Sequence, residues 1–508
     1  MTTPVTSSPR RSLSEGGPLA TSHSPLATLK FGTDGWRGVI GEDYTHENVR
    51  KVTWAVARYV VRAEDARRGV IVGYDNRRDS EHFARTAAET LTCAGIPTYL
   101  AEQSSPTPAV SQLVRLRGAA GGIMITASHN PPQWNGLKYK ASYGSSALQS
   151  IVAQIEEELA AVLREGVPAL PVRSDLIHSI DLRAPYLEAL DKLVDWERIK
   201  AANYHFLIDA MHGSGAGLLR ALFERHGVAC REIRGTRDTQ FGGVNPEPIE
   251  PHIQPMRDAI LAEPFHAGFV MDGDADRISA MHSDGTLVTP HQILAILTWH
   301  LAGTRHISGD VAKTFSVTKL LDKVAAKYGR KLYETAVGFK YICELMLQQD
   351  ILVGGEESGG IGTKLHIPER DATACALLLA EVLAWHRKSF GEIIAALHAE
   401  FGEHHYGRVD LTLPPGQKEK ALAYFSSAKL TQHLDWPIVN REALDGVKIY
   451  LGETGRSSQE VGWSPREAGW LMIRGSGTEP MLRLYCETSS AVITRSILER
   501  TATLVRSL

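Results

Sequence analysis

The sequence predicts an α/β protein built from four units that follow one another along the chain. Beyond about residue 29, short β-branched runs alternate with longer helical patterns, as in largely parallel sheets covered by helices. The length of 508 residues exceeds what one hydrophobic core organises. Stretches marked by proline or by charge separate segments of similar length. Together these observations favour several consecutive α/β units over one large domain.

The predicted strands share one feature, since each apolar run leads directly into a polar loop. In chain order the runs are GVIVGYD (69–75), GGIMITA (121–127), YHFLIDA (204–210), AGFVMDG (267–273), DILVGGE (350–356) and EAGWLMIRGS (467–476). Helical patterns follow several of these loops, for example at 80–95 and 372–388. Ligands of open α/β sheets bind at the carboxyl ends of the strands. We therefore expect the polar loops to carry the function.

Candidate linkers at 165–175, 283–290 and 401–409 divide the chain. Residues 1–28 are rich in Ser, Thr, Pro and Gly and lack the apolar stretch of a secretory signal, so we expect a disordered N-terminal extension. The predicted units are a first at 29–175, a second at 176–286, a third at 287–402 and a fourth at 403–508.

Composition and charge exclude several classes of function. The formal net charge is −3, and 43% of the residues are apolar and 22% charged, which is ordinary for a globular protein. This balance predicts no nucleic-acid partner, and the lack of about 18 consecutive apolar residues predicts no membrane partner. The five cysteines are scattered without CxxC spacing, which argues against a disulfide framework and against a zinc site. We expect a cytoplasmic protein.

The segment DGDADR predicts a metal site. Asp272, Asp274 and Asp276 alternate with small residues at the end of an apolar strand, so their carboxylates can converge on one point. Clustered carboxylates repel one another unless a cation neutralises them, and hard oxygen ligands favour Mg²⁺. An EF-hand loop is excluded because Arg277 and Ser283 stand where its glycine and its bidentate glutamate must be. A solvated acidic turn is the remaining alternative.

Two glycine-rich loops and one arginine predict contacts to a phosphorylated sugar. Arg277, directly after the carboxylates, can contact a phosphoryl group together with the metal. RGSGTEP (474–480) offers an arginine fork, two hydroxyls and closely approaching backbone N–H groups to a phosphate, although an ordinary Gly/Ser turn is the alternative. GGEESGG (354–360) holds two carboxylates and a hydroxyl between glycines, which suits adjacent sugar hydroxyls.

Five motifs in this order resemble those of the α-D-phosphohexomutase superfamily, the phosphoglucomutases and phosphomannomutases. They are FGTDGWRG, TASHNPPQWNGLK, DGDADR, GGEESGG and RGSGTEP, and the resemblance extends from about residue 29 to the C-terminus. It implies four domains around a central cleft: three related α/β domains with mixed sheets and a smaller C-terminal α+β domain. Each domain would contribute one loop to the cleft.

The resemblance implies that Ser128 carries a phosphoryl group in the resting enzyme. Ser128 follows the strand GGIMIT, two prolines restrict its loop, and His129 and Lys138 are basic neighbours. The implied reaction interconverts glucose 1-phosphate and glucose 6-phosphate, with mannose phosphates as further substrates. Phospho-Ser128 donates to the hexose monophosphate, and the resulting glucose 1,6-bisphosphate turns over in the cleft and returns its other phosphoryl group. Such chemistry needs positioning and charge neutralisation more than covalent machinery.

Matched positions imply the remaining roles. Lys138 would be the general acid and base, assisted by His129 and Arg37. One Mg²⁺ per subunit would bind the three aspartates and phosphorylated Ser128. The implied substrate contacts are Arg277, Lys340, Glu356, Ser358, Arg474, Ser476, Gly477 and Thr478. The expected partners are hexose phosphates, with glucose 1,6-bisphosphate as activator and intermediate, and the chain is expected to be a monomer or a homodimer.

The sequence departs from the family pattern in two loops. Arg370, Asp371 and Ala372 stand where phosphoglucomutases usually have Lys-Asp-Gly, so no role is assigned to Arg370. Gly475 replaces a residue that is often proline. Neither change removes a predicted helix or a phosphate donor.

Three alternative functions are weaker on the sequence. A phosphoglucosamine mutase is disfavoured by the Glu-x-Ser pair of the sugar loop. A metal-dependent phosphatase would need a nucleophilic aspartate and a path for water, whereas Ser128 and a separate phosphate loop suggest that the intermediate is retained. A non-catalytic sugar-phosphate sensor would not need Ser128, Lys138 and three aspartates together.

Overall fold

The structure, a computed structural model, describes residues 29–32, 35–452, 468–475 and 481–508. The predicted extension at 1–28 lies outside the described residues. Within the described ranges the chain forms four sheets in sequence order. Three of them mix parallel and antiparallel strands and the fourth is antiparallel, which confirms the predicted fold class.

The first sheet has seven strands, in the order β1-β5-β4-β2-β3-β7 with β6 beside β5. The strands are β1 (Trp36–Val39), β2 (Val70–Tyr74), β3 (Thr98–Ala101), β4 (Gly121–Ile125), β5 (Trp134–Ala141), β6 (Ser145–Ser146) and β7 (Ile177–Ile180). The helices of this unit are α1 (His46–Ala63), α2 (Ser80–Cys93), α3 (Thr107–Arg117) and α4 (Gln149–Glu165). β4 is buried along its whole length and runs parallel to β2. Their carboxyl ends therefore face the same edge.

The second sheet has five strands in the order β12-β11-β10-β8-β9. The strands are β8 (His205–Asp209), β9 (Ala229–Ile233), β10 (Ala267–Met271), β11 (Ile278–His282) and β12 (Leu287–Val288). The helices are α5 (Arg183–Leu190), α6 (Trp196–Ala202), α7 (Leu218–Arg225) and α8 (Gln254–Ala262). The central strand β10 is fully buried, and the aspartate-rich loop follows its last residue.

The third sheet has four strands in the order β14-β13-β15-β16. The strands are β13 (Asp310–Thr314), β14 (Leu332–Thr335), β15 (Ile351–Gly355) and β16 (Ile361–Thr363). The helices are α9 (Pro290–Thr298), α10 (Leu320–Lys327), α11 (Phe339–Gln348), α12 (Ala372–His386) and α13 (Phe390–Phe401). α12 is buried at every position from 372 to 384, as expected of a helix that is apolar on all sides. It packs on α6 and α7 as well as on α9, so the second and third units share one core.

The fourth sheet has six antiparallel strands in the order β17-β22-β21-β20-β19-β18. The strands are β17 (His405–Thr412), β18 (Gln432–His433), β19 (Trp436–Glu442), β20 (Val447–Leu451), β21 (Gly469–Gly475) and β22 (Met481–Thr488), and the helices are α14 (Gln417–Ser426) and α15 (Ala491–Ser507). One face packs on α14 and α15. The other face places Trp470 and Tyr485 against Phe315 of the third unit.

Two predicted boundaries and two linkers need correction. β7 pairs with β3, and β12 pairs with β11, so residues 177–180 and 287–288 complete the first and second sheets. The expected starts of the second unit at 176 and of the third at 287 are therefore too early, and we propose 181 and 289. The predicted linkers at 283–290 and 401–409 are also too long, because the first contains β12 and the second contains the start of β17, which pairs with β22.

No helix in the described ranges is long and apolar enough to cross a membrane.

Candidate active site

Ser128 lies just beyond β4 and points at the second unit. Its hydroxyl donates a 2.7 Å hydrogen bond to Asp272 Oδ2. Its φ of 54° lies in the left-handed region, which non-glycine residues adopt rarely. The backbone N–H of Ser128 donates to Thr126 Oγ1 at 2.9 Å. A strained, tethered turn thus presents one hydroxyl to the carboxylates.

The three aspartates of DGDADR converge as predicted. One ligand oxygen of each lies within 4.8 Å of the others, and all three residues are fully buried. Oδ1 of Asp274 and Oδ1 of Asp276 are buried and have no hydrogen-bond partner among the described residues. Burial and the two neighbouring carboxylates raise the pKa of Asp272 well above its ordinary value. Unpartnered buried carboxylate oxygens are costly, so this donor set fits a hard divalent cation.

Lys138 reaches the same carboxylates from the first sheet. β5 runs antiparallel to β4 and pairs Lys138 with Met124, which returns the lysine to the edge where Ser128 lies. Its Nζ is 2.9 Å from Asp274 Oδ2 and 3.1 Å from Asp276 Oδ2. Burial alone would raise the pKa of Asp274, but the charge and hydrogen bond of Lys138 lower it below its ordinary value.

His129 and Arg37 flank the serine loop. His129 Nδ1 is 3.4 Å from Ser128 Oγ. Burial and the positive charges of Arg277 and Arg37 hold the pKa of His129 well below its ordinary value, which favours the neutral imidazole. Arg37, on β1, donates from Nη1 to Asn130 Oδ1 at 2.6 Å.

Two arginines border the metal carboxylates. The backbone N–H of Arg277 donates to Asp272 Oδ1 at 3.1 Å, and its Nε lies 3.9 Å from Asp276 Oδ1. Arg370, to which the sequence assigned no role, lies 2.8 Å from Asp276 Oδ2 and 3.4 Å from Glu356 Oε2. Gly360 leaves room for it, since a Cβ there would stand 2.3 Å from Arg370 Cδ. Arg370 therefore connects the metal carboxylates to the sugar loop.

The sugar loop follows β15, and its residues lie beside Arg370. Burial raises the pKa of Glu356 to about 7. Ser358 is half-buried in the same turn. Lys340, at the start of α11, donates to Gln149 at the start of α4, and its contact to the substrate stays a prediction.

Arg474 occupies the end of β21, where the sequence placed the phosphate loop. Its Nε lies 3.0 Å from Asp445 Oδ2, and that oxygen also accepts a 2.9 Å hydrogen bond from the backbone N–H of Val337 in the third unit. The other three predicted phosphate contacts, Ser476, Gly477 and Thr478, lie outside the described residues.

Sequence reasoning missed two further residues that hold the site together. Thr107 donates from Oγ1 to Asp274 Oδ2 at 2.5 Å. It begins α3 after a proline and carried no motif signal. Arg77 donates to the backbone carbonyl of Ser128 at 2.6 Å. The strand-end pattern would have found Arg77, because YDNRRD follows β2 in the way that the recognised loops follow their strands.

Comparison with known proteins agrees with this geometry. Four phosphoglucomutase/phosphomannomutase domain families match in order: α/β/α domain I at 28–164, α/β/α domain II at 184–285, α/β/α domain III at 289–401 and the C-terminal domain at 446–504. A solved structure from Thermus thermophilus, described provisionally as a phosphomannomutase, is 32% identical, with 94% of this chain and 99% of that chain covered and a TM-score of 0.80. The chain belongs to the phosphoglucomutase/phosphomannomutase family. It is an enzyme, an intramolecular phosphotransferase of the α-D-phosphohexomutase superfamily.

Curated relatives of this phosphohexomutase carry names that differ in the sugar. A phosphoglucomutase/phosphomannomutase of Thermococcus kodakarensis is 27% identical over 469 residues, 92% of this chain and 96% of the relative. A phosphoglucosamine mutase of Carboxydothermus hydrogenoformans is 26% identical over 479 residues, 94% of this chain and 99% of the relative. Overall similarity therefore fixes the reaction class of the phosphohexomutase without selecting its sugar.

Proposed function

We propose that this phosphohexomutase interconverts glucose 1-phosphate and glucose 6-phosphate, and accepts mannose phosphates, through phospho-Ser128 and glucose 1,6-bisphosphate. One observation carries the proposal: the Ser128 hydroxyl lies 2.7 Å from Asp272 Oδ2 in a buried carboxylate cluster, on a backbone held in the left-handed region. Lys138 contacts the other two carboxylates of that cluster, Asp274 and Asp276. A phosphoryl group on Ser128 would thus lie beside a cation and beside carboxylates that can hold a metal ion, and phosphoryl transfer requires such charge neutralisation.

Asp272, Asp274, Asp276 and phosphorylated Ser128 would hold one Mg²⁺. The Oδ1 atoms of Asp274 and Asp276 support this assignment, because hard oxygen donors without a partner among the described residues suit that ion. When bound, Mg²⁺ neutralises charge on the transferring phosphoryl group. Arg277 would add a second positive charge at the same group.

Proton transfer falls to Lys138 and His129. The sugar hydroxyl loses its proton as its oxygen bonds to phosphorus, and the phosphorus–oxygen bond to Ser128 breaks. The neutral His129 would take up that proton, and Lys138, a cation that donates to Asp274, would return one to Ser128 Oγ. In the second half of the cycle the other phosphoryl group of the bisphosphate bonds to Ser128, and the proton movements reverse.

The remaining contacts would orient the sugar. Glu356 and Ser358 would hold sugar hydroxyls, while Lys340 would approach the substrate after leaving Gln149. Arg474 with its neighbours at 476–478 would hold the phosphate that does not react, since a guanidinium fork matches a phosphate bidentately. The two phosphates of the bisphosphate could then exchange places between Ser128 and the phosphate site at Arg474.

Turnover on three sugars tests the substrate. With Mg²⁺ and a trace of glucose 1,6-bisphosphate, we expect kcat/KM for glucose 1-phosphate to exceed that for glucosamine 1-phosphate at least tenfold, about 1.4 kcal/mol. Mannose 1-phosphate should be turned over at a rate nearer to that of glucose 1-phosphate. A higher kcat/KM for glucosamine 1-phosphate would contradict the assignment.

A phosphoglucosamine mutase is the second candidate, because relatives with that name are as similar to this chain as the phosphoglucomutase/phosphomannomutase relative. Those of Carboxydothermus hydrogenoformans and Lachnospira eligens are 26% and 28% identical. The cationic amino group of glucosamine would pair with Glu356 or Glu357 in the sugar loop. The same three-sugar assay separates the two candidates.

Arg474→Ala should raise the KM for the hexose 1-phosphate strongly, on the order of 10²-fold, because it removes a charge-assisted fork to the non-reacting phosphate. kcat should also fall, though less, since remote binding energy positions the reacting hydroxyl. Steady-state kinetics at saturating Mg²⁺ measure both constants. Arg500→Ala is the control, because Arg500 is exposed on α15 and pairs with Asp435. An unchanged KM in Arg474→Ala would remove residues 474–480 from the phosphate site.

A further inference from the structure

We infer that residues 75–77, which follow β2, form a positioning element that sets the distance between Ser128 and the metal carboxylates. The segment Asp75-Asn76-Arg77 is buried, with its three residues between 0% and 4% exposed. All three side chains are thus withdrawn from the protein surface. Each reaches instead toward the backbone or side chains that hold a neighbouring loop.

Arg77 binds the backbone of the segment that begins at Ser128. Its Nη2 donates to the carbonyl oxygens of Ser128 and Asn130 at 2.6 and 2.7 Å. Its Nη1 donates to the carbonyl oxygens of Pro131 and Trp134 at 2.9 and 3.1 Å. One rigid planar fork therefore collects four carbonyls of a single loop. A lysine ammonium, a point donor on a flexible stem, cannot reproduce that arrangement.

Asp75 fixes the other side of the nucleophile. It accepts hydrogen bonds from Thr126 Oγ1 at 2.6 Å and from Ser80 Oγ at 2.8 Å. Thr126 Oγ1 in turn accepts from the backbone N–H of Ser128. The backbone N–H of Ser128 is thus linked to Asp75 through Thr126. The backbone carbonyl of Ser128 is bound directly by Arg77. These hydrogen bonds on both sides of Ser128 account for its left-handed backbone, which directs the hydroxyl toward Asp272.

Asn76 connects the same segment to the metal loop. Its Nδ2 donates to the carbonyl oxygens of His212 and Gly213 at 2.9 and 2.8 Å. The next residue, Ser214, donates from its backbone N–H to the carbonyl of Gly273, inside DGDADR, at 3.0 Å. A Cβ on Gly213 would stand 2.8 Å from that carbonyl oxygen, so the two loops are in close contact.

The consequence concerns the chemical step and rests on the proposed phosphoserine cycle. Ser128 must meet both ends of the bisphosphate in each turnover, and the metal loop must meet them at the same place. Because the segment ties the first unit's serine loop to the second unit's metal loop, it keeps these two loops in register while the substrate reorients. A misplacement of about 1 Å costs about 10²-fold in rate.

Arg77→Lys tests the inference. We expect kcat to fall about 10²-fold while KM for the hexose 1-phosphate changes less than about threefold, since no substrate contact is removed. The rate at which glucose 1,6-bisphosphate phosphorylates Ser128, followed by intact mass, should fall in parallel. Arg305→Lys is the matched control, because Arg305 donates to the Leu193 carbonyl and to Glu381 at the boundary of the second and third units. It should leave both constants unchanged.

Asn76→Ala provides a second variant that removes only two hydrogen bonds. It should lower kcat about tenfold with KM unchanged, and it decides the matter alone if Arg77→Lys fails to fold. Folded variants with kcat within about threefold of the wild type, or with a loss confined to KM, would overturn the inference. Turnover is measured on whichever hexose 1-phosphate the wild type uses, so an error in the proposed sugar leaves this test intact.

Discussion

Ser128→Ala is expected to lower mutase turnover by at least about 10³-fold, a loss of roughly 4 kcal/mol of transition-state stabilisation. The variant removes the only atom of this residue that can carry the phosphoryl group. It also removes the donor to Asp272, so the carboxylate cluster loses one neutral partner. Steady-state turnover on glucose 1-phosphate, with glucose 1,6-bisphosphate present, measures the loss. The bisphosphate cannot rescue the variant, because the phosphoryl group must pass through the serine.

Intact mass and a buried control serine make this expectation specific. Freshly purified wild-type protein should contain a fraction heavier by one phosphoryl group, located on the peptide that contains Ser128, and Ser128→Ala should lack it. Ser105→Ala is the control, since Ser105 is buried and its hydroxyl donates only to the Gln103 carbonyl among the described residues. Near-normal turnover in Ser128→Ala, or phosphate found only on other peptides, would exclude Ser128 as the phosphoryl carrier.

Local sequence patterns predicted the fold and the centre of the site for a physical reason. β4 and β10 are continuous apolar runs, and the polar residues directly after each must lie at the end of a buried strand. The ten-residue spacing from Ser128 to Lys138 spans one turn and one antiparallel strand, which returns the lysine to the serine. These patterns located the aspartates and the polar loop that holds Ser128, whereas the roles of Ser128 and Lys138 came from the resemblance to the family.

Contacts between distant segments could not be read in this way. Arg370 reaches Asp276 across 94 positions of sequence, and Thr107 reaches Asp274 across 167. Nothing local to either residue specifies its partner. The same limit explains the boundary of the first unit, because β7 resembles a linker until β3 supplies its hydrogen bonds. A local motif also does not reveal every partner of its residues. Lys340 belongs to a recognised motif, yet it donates a hydrogen bond to Gln149, a residue distant in sequence.

Asp274→Asn is expected to lower kcat by about 10² to 10³-fold with a smaller change in KM, because charge is lost where the phosphoryl group transfers. Asp274 offers the metal an Oδ1 without a partner among the described residues, while its Oδ2 is engaged by Thr107 and Lys138. An amide keeps the size of the side chain but halves its oxygen donors and removes its charge. Without the charge of Asp274, the positive charge of Lys138 is less neutralised and disfavours binding of a divalent ion. The Mg²⁺ concentration for half-maximal activity should therefore rise together with the fall in kcat.

A Mg²⁺ titration after treatment with a chelator separates this outcome from a general loss of stability. Wild-type activity should disappear on chelation and return with added Mg²⁺, whereas Asp274→Asn should recover partly and only at higher concentrations. Asp284→Asn is the control, since Asp284 is an exposed carboxylate that caps the turn before β12 in the same unit. Coincident titration curves for Asp274→Asn and the wild type would show that the Asp274 carboxylate does not hold the ion. The cations beside the three carboxylates, Lys138, Arg277 and Arg370, would then have to balance their charge without a metal. The Oδ1 atoms of Asp274 and Asp276 would still accept no hydrogen bond among the described residues.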